Sequence, residues 1–594
     1  MGGSLFSIGV SGLKAAQVNL GVTSHNVTNA STPGYSTQTA YQAAAQPFGQ
    51  GYGFTGQGVD VTDVGRAYNS FLGTQLQTAQ AADSHNSSML SMLSQVDNLM
   101  GDSSQSLNSS MQTYFGSVQT LSQNPASIPS RQAVISSAEG LVTQFKGMNT
   151  QLQQLQASAN GQISDSINSI NALATNIADL NGRIMALSGA GSGHEPNDLL
   201  DQRDQAVLQL NKLVKATSVT QADGSYSVFI GNGQTLVLGT TTSKMSTLPN
   251  PSDPANVNVV LDNPNGTTTQ LADSLLKGGQ LGGLLDFRDN TLISAQNRLG
   301  NLAIDLTTSL NYQNKLGLDL NGNPGGNLFS DLTSFATKPT DAIANMSVTA
   351  GDPTLIAAAS NMTAGAISPS SSGAVVTSVE ATLPASYGWT STTTPPDSTT
   401  HPSIGISGIA VSATSASNIT ATISGGSAPG TYNVVVDPTT QNGYKIVDAS
   451  GKDLGINFST SSQMTGGMSF TIKPNTASTF GSGDNSNLMQ LARLQTKTVV
   501  DNNRNGSSSG LQTFANAYST TVSAVGSATS STKLQQAASQ TALEQATTAQ
   551  SNFSGVNLDQ EAALLIQQQQ QYQACSKVIQ TAQTVFGQLL AIFN

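Results

Sequence analysis

The sequence has little charge. Only 9% of its 594 residues are Asp, Glu, Lys or Arg, with 22 basic against 33 acidic side chains and a formal net charge of -11. That balance offers no positive footprint for nucleic acid or an anionic membrane surface, so nucleic acid is excluded as a partner class. Cysteine is nearly absent: Cys575 stands alone. A lone cysteine excludes an internal disulfide framework and a cysteine-held metal cluster, and suits a small apolar side chain near a packed seam. No apolar run reaches about 18 residues, so membrane insertion is not expected. The opening MGGSLFSIGVSGLKAAQ lacks a basic segment followed by an apolar core, so a cleaved secretory signal is not expected either. Low charge, scarce cysteine and a Ser/Thr-rich middle nevertheless resemble proteins that work outside the cell, exported by another route.

Histidine is also sparse, and its placement argues against catalysis. His25, His85, His194 and His401 show no metal-ligand spacing; His194-Glu195 opens like H-E-x-x-H, but Asp198 fills the fifth place and Pro196 opposes a helix. Gly51, Gly53 and Gly56 fit G-x-G-x-x-G formally, yet the alternating Val59, Val61 and Val64 that follow read as a strand, where dinucleotide binding needs a helix. Gly506 to Gly510 fits G-x-S-x-G without a strand-to-helix elbow. Asp319 to Asn323 imitates a calcium loop, but Pro324 stands where glycine is needed and Ser330 where a bidentate Glu is needed. Asp198, Asp201 and Asp204 near a helix start, with Lys212 and Lys215 at its end, suit the helix dipole and read as a solvated face. No catalytic residue, metal ligand or cofactor is predicted, and the chain reads as a non-enzyme.

What the sequence does have is helical periodicity at both ends. Leu558, Leu565, Tyr572, Ile579, Phe586 and Phe593 recur every seventh residue, and so do Phe6, Leu13, Leu20 and Val27. Each row predicts an amphipathic helix that needs a partner, and the nearest candidate for each is the other. Helix one is expected over about 4–28, before the breaker cluster from Asn29 to Gly34. Before Asp60 the only charged residue is Lys14, and after Glu561 the only one is Lys577. Helices so poor in charge are expected to be disordered alone and ordered when packed. Asn557 is placed to cap the last helix, with Gln560 in the capping-box position.

Between the ends the pattern is nested, with helices outside and β segments inside. The predicted fold class is α+β multidomain: paired N- and C-terminal helices in a coiled coil or bundle, a long helical middle, and central β-rich domains. The expected segments are 1–68, an assembly helix with a turn and strand; 69–216, long helices broken near Pro125 and Pro129; and 217–283, β-rich. They continue as 284–361, a helical return; 362–480, an inserted β-rich domain holding Trp389; 481–550, helical; and 551–594, the last assembly helix. Within the second segment Ile163, Ile170, Ile177 and Ile184, flanked by Leu173, Leu180 and Leu187, predict a coiled-coil or bundle seam.

Two motifs carry a family resemblance. Asn26-Val-Thr-Asn29-Ala-Ser-Thr32-Pro33-Gly34-Tyr35, after Gly12-Leu13-Lys14-Ala15-Ala16, resembles the N-terminal signature of bacterial flagellar axial proteins. Ser554 to Ala563, with Gln570 to Ala574 and Lys577 to Ile579, is similar to the matching C-terminal signature. The Thr32 to Tyr35 form, Asn197 to Asp204 with Asn211 to Val214, and Gly282 to Arg288 resemble the hook-associated, hook-filament junction members. The resemblance implies an exported, non-enzymatic building block, with Asn26, Asn29, Thr32, Pro33, Gly34 and Tyr35 as its assembly motif. It also implies a homo-oligomer of the flagellar axis that contacts hook protein on one side and the next hook-associated protein on the other. Secretion unfolded through the flagellar type III apparatus, with an export chaperone on the C-terminal helix, belongs to the same expectation. The alternatives are a hook or distal-rod axial protein and, from other classes, a secreted adhesin or a cell-wall hydrolase.

Overall fold

The computed structural model describes residues 2–50, 53–102, 106–187, 194–383, 401–501 and 510–593, with backbone alone at 2–4, 48–50, 53–55, 501 and 589–593. Trp389, Gly51, most of the Gly506 to Gly510 segment and the side chain of Phe593 lie outside the described residues. The α-helices in chain order are α1 (Gly2–Asn29), α2 (Ser70–Gly101), α3 (Leu107–Gln123), α4 (Ile128–Leu187) and α5 (Asn197–Leu213). They continue as α6 (Gly279–Asp286), α7 (Ile293–Lys315), α8 (Ser486–Arg493), α9 (Phe514–Ser554) and α10 (Leu558–Phe593). The chain divides into two compact units, one built from Met1–Met92, Gln156–Arg288 and Ser530–Asn594, the other from Leu93–Leu155 and Asp289–Thr529.

In the first unit α1 and α10 run antiparallel: Gly9 lies against Ile579, Gly12 against Cys575, and Asn26 against Glu561. A hairpin of Gln38–Ala44 with Val59–Arg66 packs along α1. Asn557 Oδ1 accepts from the backbone N–H groups of Asp559 and Gln560, so α10 starts on the cap its sequence supplies. The isoleucine row of α4, Ile163 to Ile184, is buried. What fastens the flanking asparagines is sheet backbone. Asn171 exchanges hydrogen bonds with Met245 N and O, and Asn181 does so with Tyr226 N and O while also reaching Gly239 O. The strands concerned are Tyr226–Ile230, in a four-stranded sheet, and Lys244–Asn250, in a three-stranded one. Seven-residue spacing alone does not distinguish a helix seam from a long helix lying on strands. Leu187, the last residue of α4, is exposed.

The second unit holds an eight-stranded antiparallel sheet in the order Met362–Ala364, Ser469–Pro474, Ile406–Ser415, Asn418–Gly425, Gly430–Asp437, Gly443–Val447, Asp453–Thr460 and Val376–Ala381. Its period-two pattern sends Ile409, Val411 and Ala413 inward beside Ile419, Ala421 and Ile423, and leaves Ser412, Thr422 and Thr431 outside. Tyr444 stacks on Phe458 with ring centroids 5.1 Å apart. The helical pattern expected to continue from Asp484 stops at Arg493. The β-branched run Thr496 to Val500 leads into a short strand pair, Val500–Asp501 with Leu511–Gln512, before α9 begins. A further unexpected break separates α2 from α3, where the Ser106 hydroxyl caps α3. Arg131, buried, is satisfied by the carbonyls of Pro125 and Ile356, each at 2.6 Å.

Candidate functional site: a clasp between the chain ends

The motif from Asn26 to Tyr35 closes on itself first. At the end of α1, Thr32 N–H donates to Asn29 O and Tyr35 N–H to Thr32 O, which turns the chain back. Gly34 completes the reversal at φ +83°, where a Cβ would also lie 2.9 Å from Gln205 Oε1, so glycine is required there for conformation and for space. Asn29 Nδ2 donates to His25 O, and Thr32 Oγ1 to Asn29 Oδ1.

Asn26 then ties three segments together. Its Oδ1 accepts from the Tyr35 hydroxyl at 2.7 Å and from Gln38 N at 3.0 Å, while its Nδ2 donates to Gln38 O and to Glu561 Oε1, both at 2.9 Å. Asn26 is 1% exposed, so without it both backbone groups of Gln38 and Glu561 Oε1 would lose this buried partner, and the Tyr35 hydroxyl would keep His25 alone. Burial and then the carboxylates of Asp198, Asp201 and Glu561 raise the Tyr35 pKa. The phenol therefore stays protonated and keeps donating to Asn26. Thr37 N–H donates to Ser554 O at 2.8 Å and Thr37 Oγ1 to Gly555 O at 2.8 Å, which fixes the turn between α9 and α10 to the same loop.

A buried ion cluster anchors this loop to α5. Asp201 accepts from Ser36 N at 2.7 Å and Ser36 Oγ at 2.9 Å, and Arg66 Nη1 lies 2.7 Å from both Asp201 Oδ1 and Asp204 Oδ2. Asp204 also accepts from the Tyr226 hydroxyl at 2.8 Å, and the Gln38 amide reaches Asp198 at 2.8 Å. Burial acts to lower the Arg66 pKa, but Asp204 and Asp201 outweigh it and the pKa is raised. The expectation of a solvated aspartate face on α5 is thus corrected: Asp201 is 5% exposed and ion-paired, and only Asp198 stays at the surface. Sequence reasoning missed the partner, although Arg66 is the only arginine before Arg131 and the aspartates share a three-residue spacing that puts them on one helix face.

The terminal rows are brought together in part. Leu565, Tyr572 and Ile579 are half-buried toward α1, while Leu558 and Phe586 are 54% and 56% exposed. On α1 the edge that meets α10 is made of small and polar residues instead: Gly9, Gly12, Ala16, Thr23 and Asn26. A Cβ on Gly9 would fall 2.8 Å from Ile579 Cγ1, and one on Gly12 2.8 Å from Cys575 Sγ. Such close approach excludes large side chains, so Phe6 and Val27 are 44% and 41% exposed while Leu13 and Leu20 are half-buried. His25 lies beside the clasp, 3.1 Å from the Tyr35 hydroxyl; His85 and His194 face Asp286 and Asp63; His401 is buried among Ser403 and Thr382. Among the described residues no group of three or more His, Cys, Asp or Glu is placed to hold a metal, and no helix is long and apolar enough to cross a membrane.

Residues 6–35, which run from α1 through the whole motif, match the family described as flagella basal body rod protein. Residues 550–592 match the flagellar basal body rod FlgEFG protein C-terminal family, and residues 93–329 match the flagellar hook-associated protein FlgK helical domain. Flagellar hook-associated protein 1 of Salmonella typhimurium is 32% identical over 595 residues, covering 99% of this chain and 100% of that one. The chain belongs to the flagellar hook-associated protein 1 family. The Escherichia coli member is also 32% identical, over 607 residues with the same coverage, and the Bacillus subtilis member is 23% identical across 55% of this chain and 70% of its own. The solved flagellar hook junction protein FlgK from Burkholderia pseudomallei superimposes with a TM-score of 0.63 at 26% identity, covering 81% of this chain and all of that one. The two rod-type matches coincide with the two segments that form the clasp.

Proposed function

We propose that this chain is a structural, non-enzymatic subunit of the hook-filament junction of a bacterial flagellum, built into the axis by self-association of its clasped terminal helices. The observation that carries this reading is how much apolar surface the paired helices leave uncovered. α1 meets α10 mainly through small and polar residues, and Phe6, Val18, Val27, Leu564, Ile566, Val578 and Phe586 remain exposed. Apolar side chains arrayed along otherwise nearly uncharged helices are costly in water and suit burial against further copies. Hook protein on one side and the next hook-associated protein on the other are the partners proposed for the completed ring. An export chaperone on α10 and passage through the flagellar type III apparatus fit helices that order when packed. Residues 362–480, with their hydroxyl-rich sheet surface, are proposed to project outward.

Removing Leu558 to Asn594 tests the reading. The truncated chain is expected to retain the β sheets, seen by circular dichroism, and to be absent from hook tips with loss of filaments. Normal filament assembly by that chain would overturn the proposal. An adhesin would instead keep its surface binding.

A further inference from the structure

Charge, scarce elsewhere, is concentrated around α5. Seven of the 21 residues from Glu195 to Lys215 are charged, against 9% of the whole chain, and the exposed ones are sorted by sign along the helix. At its start Glu195 and Asp198 are exposed, with Asp63 of the hairpin beside them. At its end Lys212 and Lys215 are exposed, and a Cβ on Gly278 would lie 3.0 Å from Lys215 Cβ, which brings the exposed Lys277 to the same place. Glu195 and these three lysines make no ion pair among the described residues. α5 has 17 residues, so its two ends stand about 25 Å apart and are screened from each other within one chain.

The acidic end is also concave. Asp63, Glu195 and Asp198 line a cavity of about 750 Å³ bounded by the hairpin, the end of α4 and the start of α5, and Arg183 is the only lysine or arginine among its described lining residues. Three carboxylates against one guanidinium leave it net negative. Asp63 faces His194 at 2.9 Å and Asp198 accepts from the Gln38 amide at 2.8 Å, which leaves both with oxygens to spare. Asn197 lines the same cavity at 7% exposure: its Nδ2 donates to Val64 O at 2.6 Å, whereas its Oδ1 has no hydrogen-bond partner among the described residues. A buried acceptor without a donor is destabilising, so carboxylates grouped with such an acceptor suit a cation that carries N–H groups. A lysine ammonium carries three. We infer that the lysine end of α5 in one copy seats on this acid-lined cavity in the next copy, giving the array of clasped helices a second, polar contact. Because the two surfaces lie at opposite ends of α5, the contact is heterologous and repeats from copy to copy, as a ring or a helical row requires.

This inference rests on the self-association reading, and zero-length cross-linking separates the two. A carbodiimide activates a carboxylate, and a lysine amine in contact with it displaces the urea and leaves an amide bond. Treating junctions isolated from cells is expected to give covalent multimers whose linked peptides join Lys212, Lys215 or Lys277 to Asp63, Glu195 or Asp198. With about 25 Å between the two ends in one chain, such a link must join copies. Multimers linked only through other residues would overturn the docking and leave self-association standing. Chains that neither the carbodiimide nor a longer amine-reactive linker joins to one another would sink the self-association reading as well. As a second arm, Lys215→Glu with Lys277→Glu, and separately Glu195→Lys, are each expected to cut the fraction of hooks bearing filaments about tenfold while leaving the Tm of the purified chain unchanged, and the three changes together to restore at least half. Assembly as good as the parent's by either reversal, or a combined variant no better than its parts, would contradict the pairing.

Discussion

Replacing Arg66 by methionine removes the cation that bridges Asp201 and Asp204 and leaves the two carboxylates facing each other. Side-chain exposure is 7% for Arg66, 7% for Asp201 and 21% for Asp204, so little water can replace the guanidinium. Breaking a buried pair by removing one partner costs about 3–5 kcal/mol. Asp201 keeps its two hydrogen bonds from Ser36, and Asp204 is partly hydrated, so the lower end, about 3 kcal/mol, is expected for Arg66→Met. For a unit of this size that corresponds to a fall in Tm on the order of 5 °C, read by calorimetry on the full chain. Removing the charges as well, with Asp201→Asn and Asp204→Asn, should recover at least half, because no carboxylate is then left without its Arg66 partner. Amide exchange at Ser36 to Gln38 should accelerate in Arg66→Met and not in a surface control such as Lys452→Met. A Tm loss below about 2 °C, or a triple variant worse than the single one, would refute the view that this cluster fastens the motif loop to α5.

Asn26→Ala strips partners from the Tyr35 hydroxyl, both backbone groups of Gln38 and Glu561; it should cost about 2–4 kcal/mol in urea unfolding, and a loss under about 1 kcal/mol would show that those groups find other partners. Gly9→Leu drives a side chain into Ile579 and should free both chain ends to protease while the sheets of the second unit persist, so unchanged resistance of the ends would contradict the close approach. His401 accepts from Ser403 N at Nδ1 and lies 3.2 Å from Thr382 O at Nε2, so the neutral ring already satisfies both sides. Burial lowers its pKa from 6.5 to about 4. The unfolded chain takes up a proton below pH 6.5 that the folded chain refuses until about pH 4, so this contribution is full above pH 6.5 and lost as pH falls toward 4. The loss should approach about 3 kcal/mol, and His401→Gln should flatten stability across that window; an unchanged pH profile would contradict it.

Much of the fold was legible because periodicity reports burial. The inward row Ile409, Val411 and Ala413 and the outward Ser412 follow from alternation alone, and Asn557 announces the start of α10. Other features needed the third dimension. Seven-residue spacing in α1 marked Phe6, Leu13, Leu20 and Val27 as a seam, yet the edge that meets α10 is the glycine and alanine stripe beside it. Apolar pattern says which face avoids water, not which neighbour covers it. The aspartates of α5 looked solvated because their partner, Arg66, is 135 and 138 residues away in sequence. The motif from Asn26 to Tyr35 was visible as a signature, but its role as a clasp depends on Asp201, Ser554 and Glu561, which reach it through the fold.

The claim on which the rest depends is that the two ends of one chain form a single antiparallel pair within the assembled junction. A Cβ built on Gly12 lies 3.8 Å from Cys575 Cβ, the separation typical of a disulfide at about 3.8 Å. Gly12→Cys in junctions isolated from cells should therefore form an intramolecular disulfide with Cys575 on mild oxidation, giving a faster-migrating monomer in non-reducing gels. Free thiols after oxidation, or disulfides only between copies, would contradict the pairing and with it the account of how this chain enters the flagellar axis.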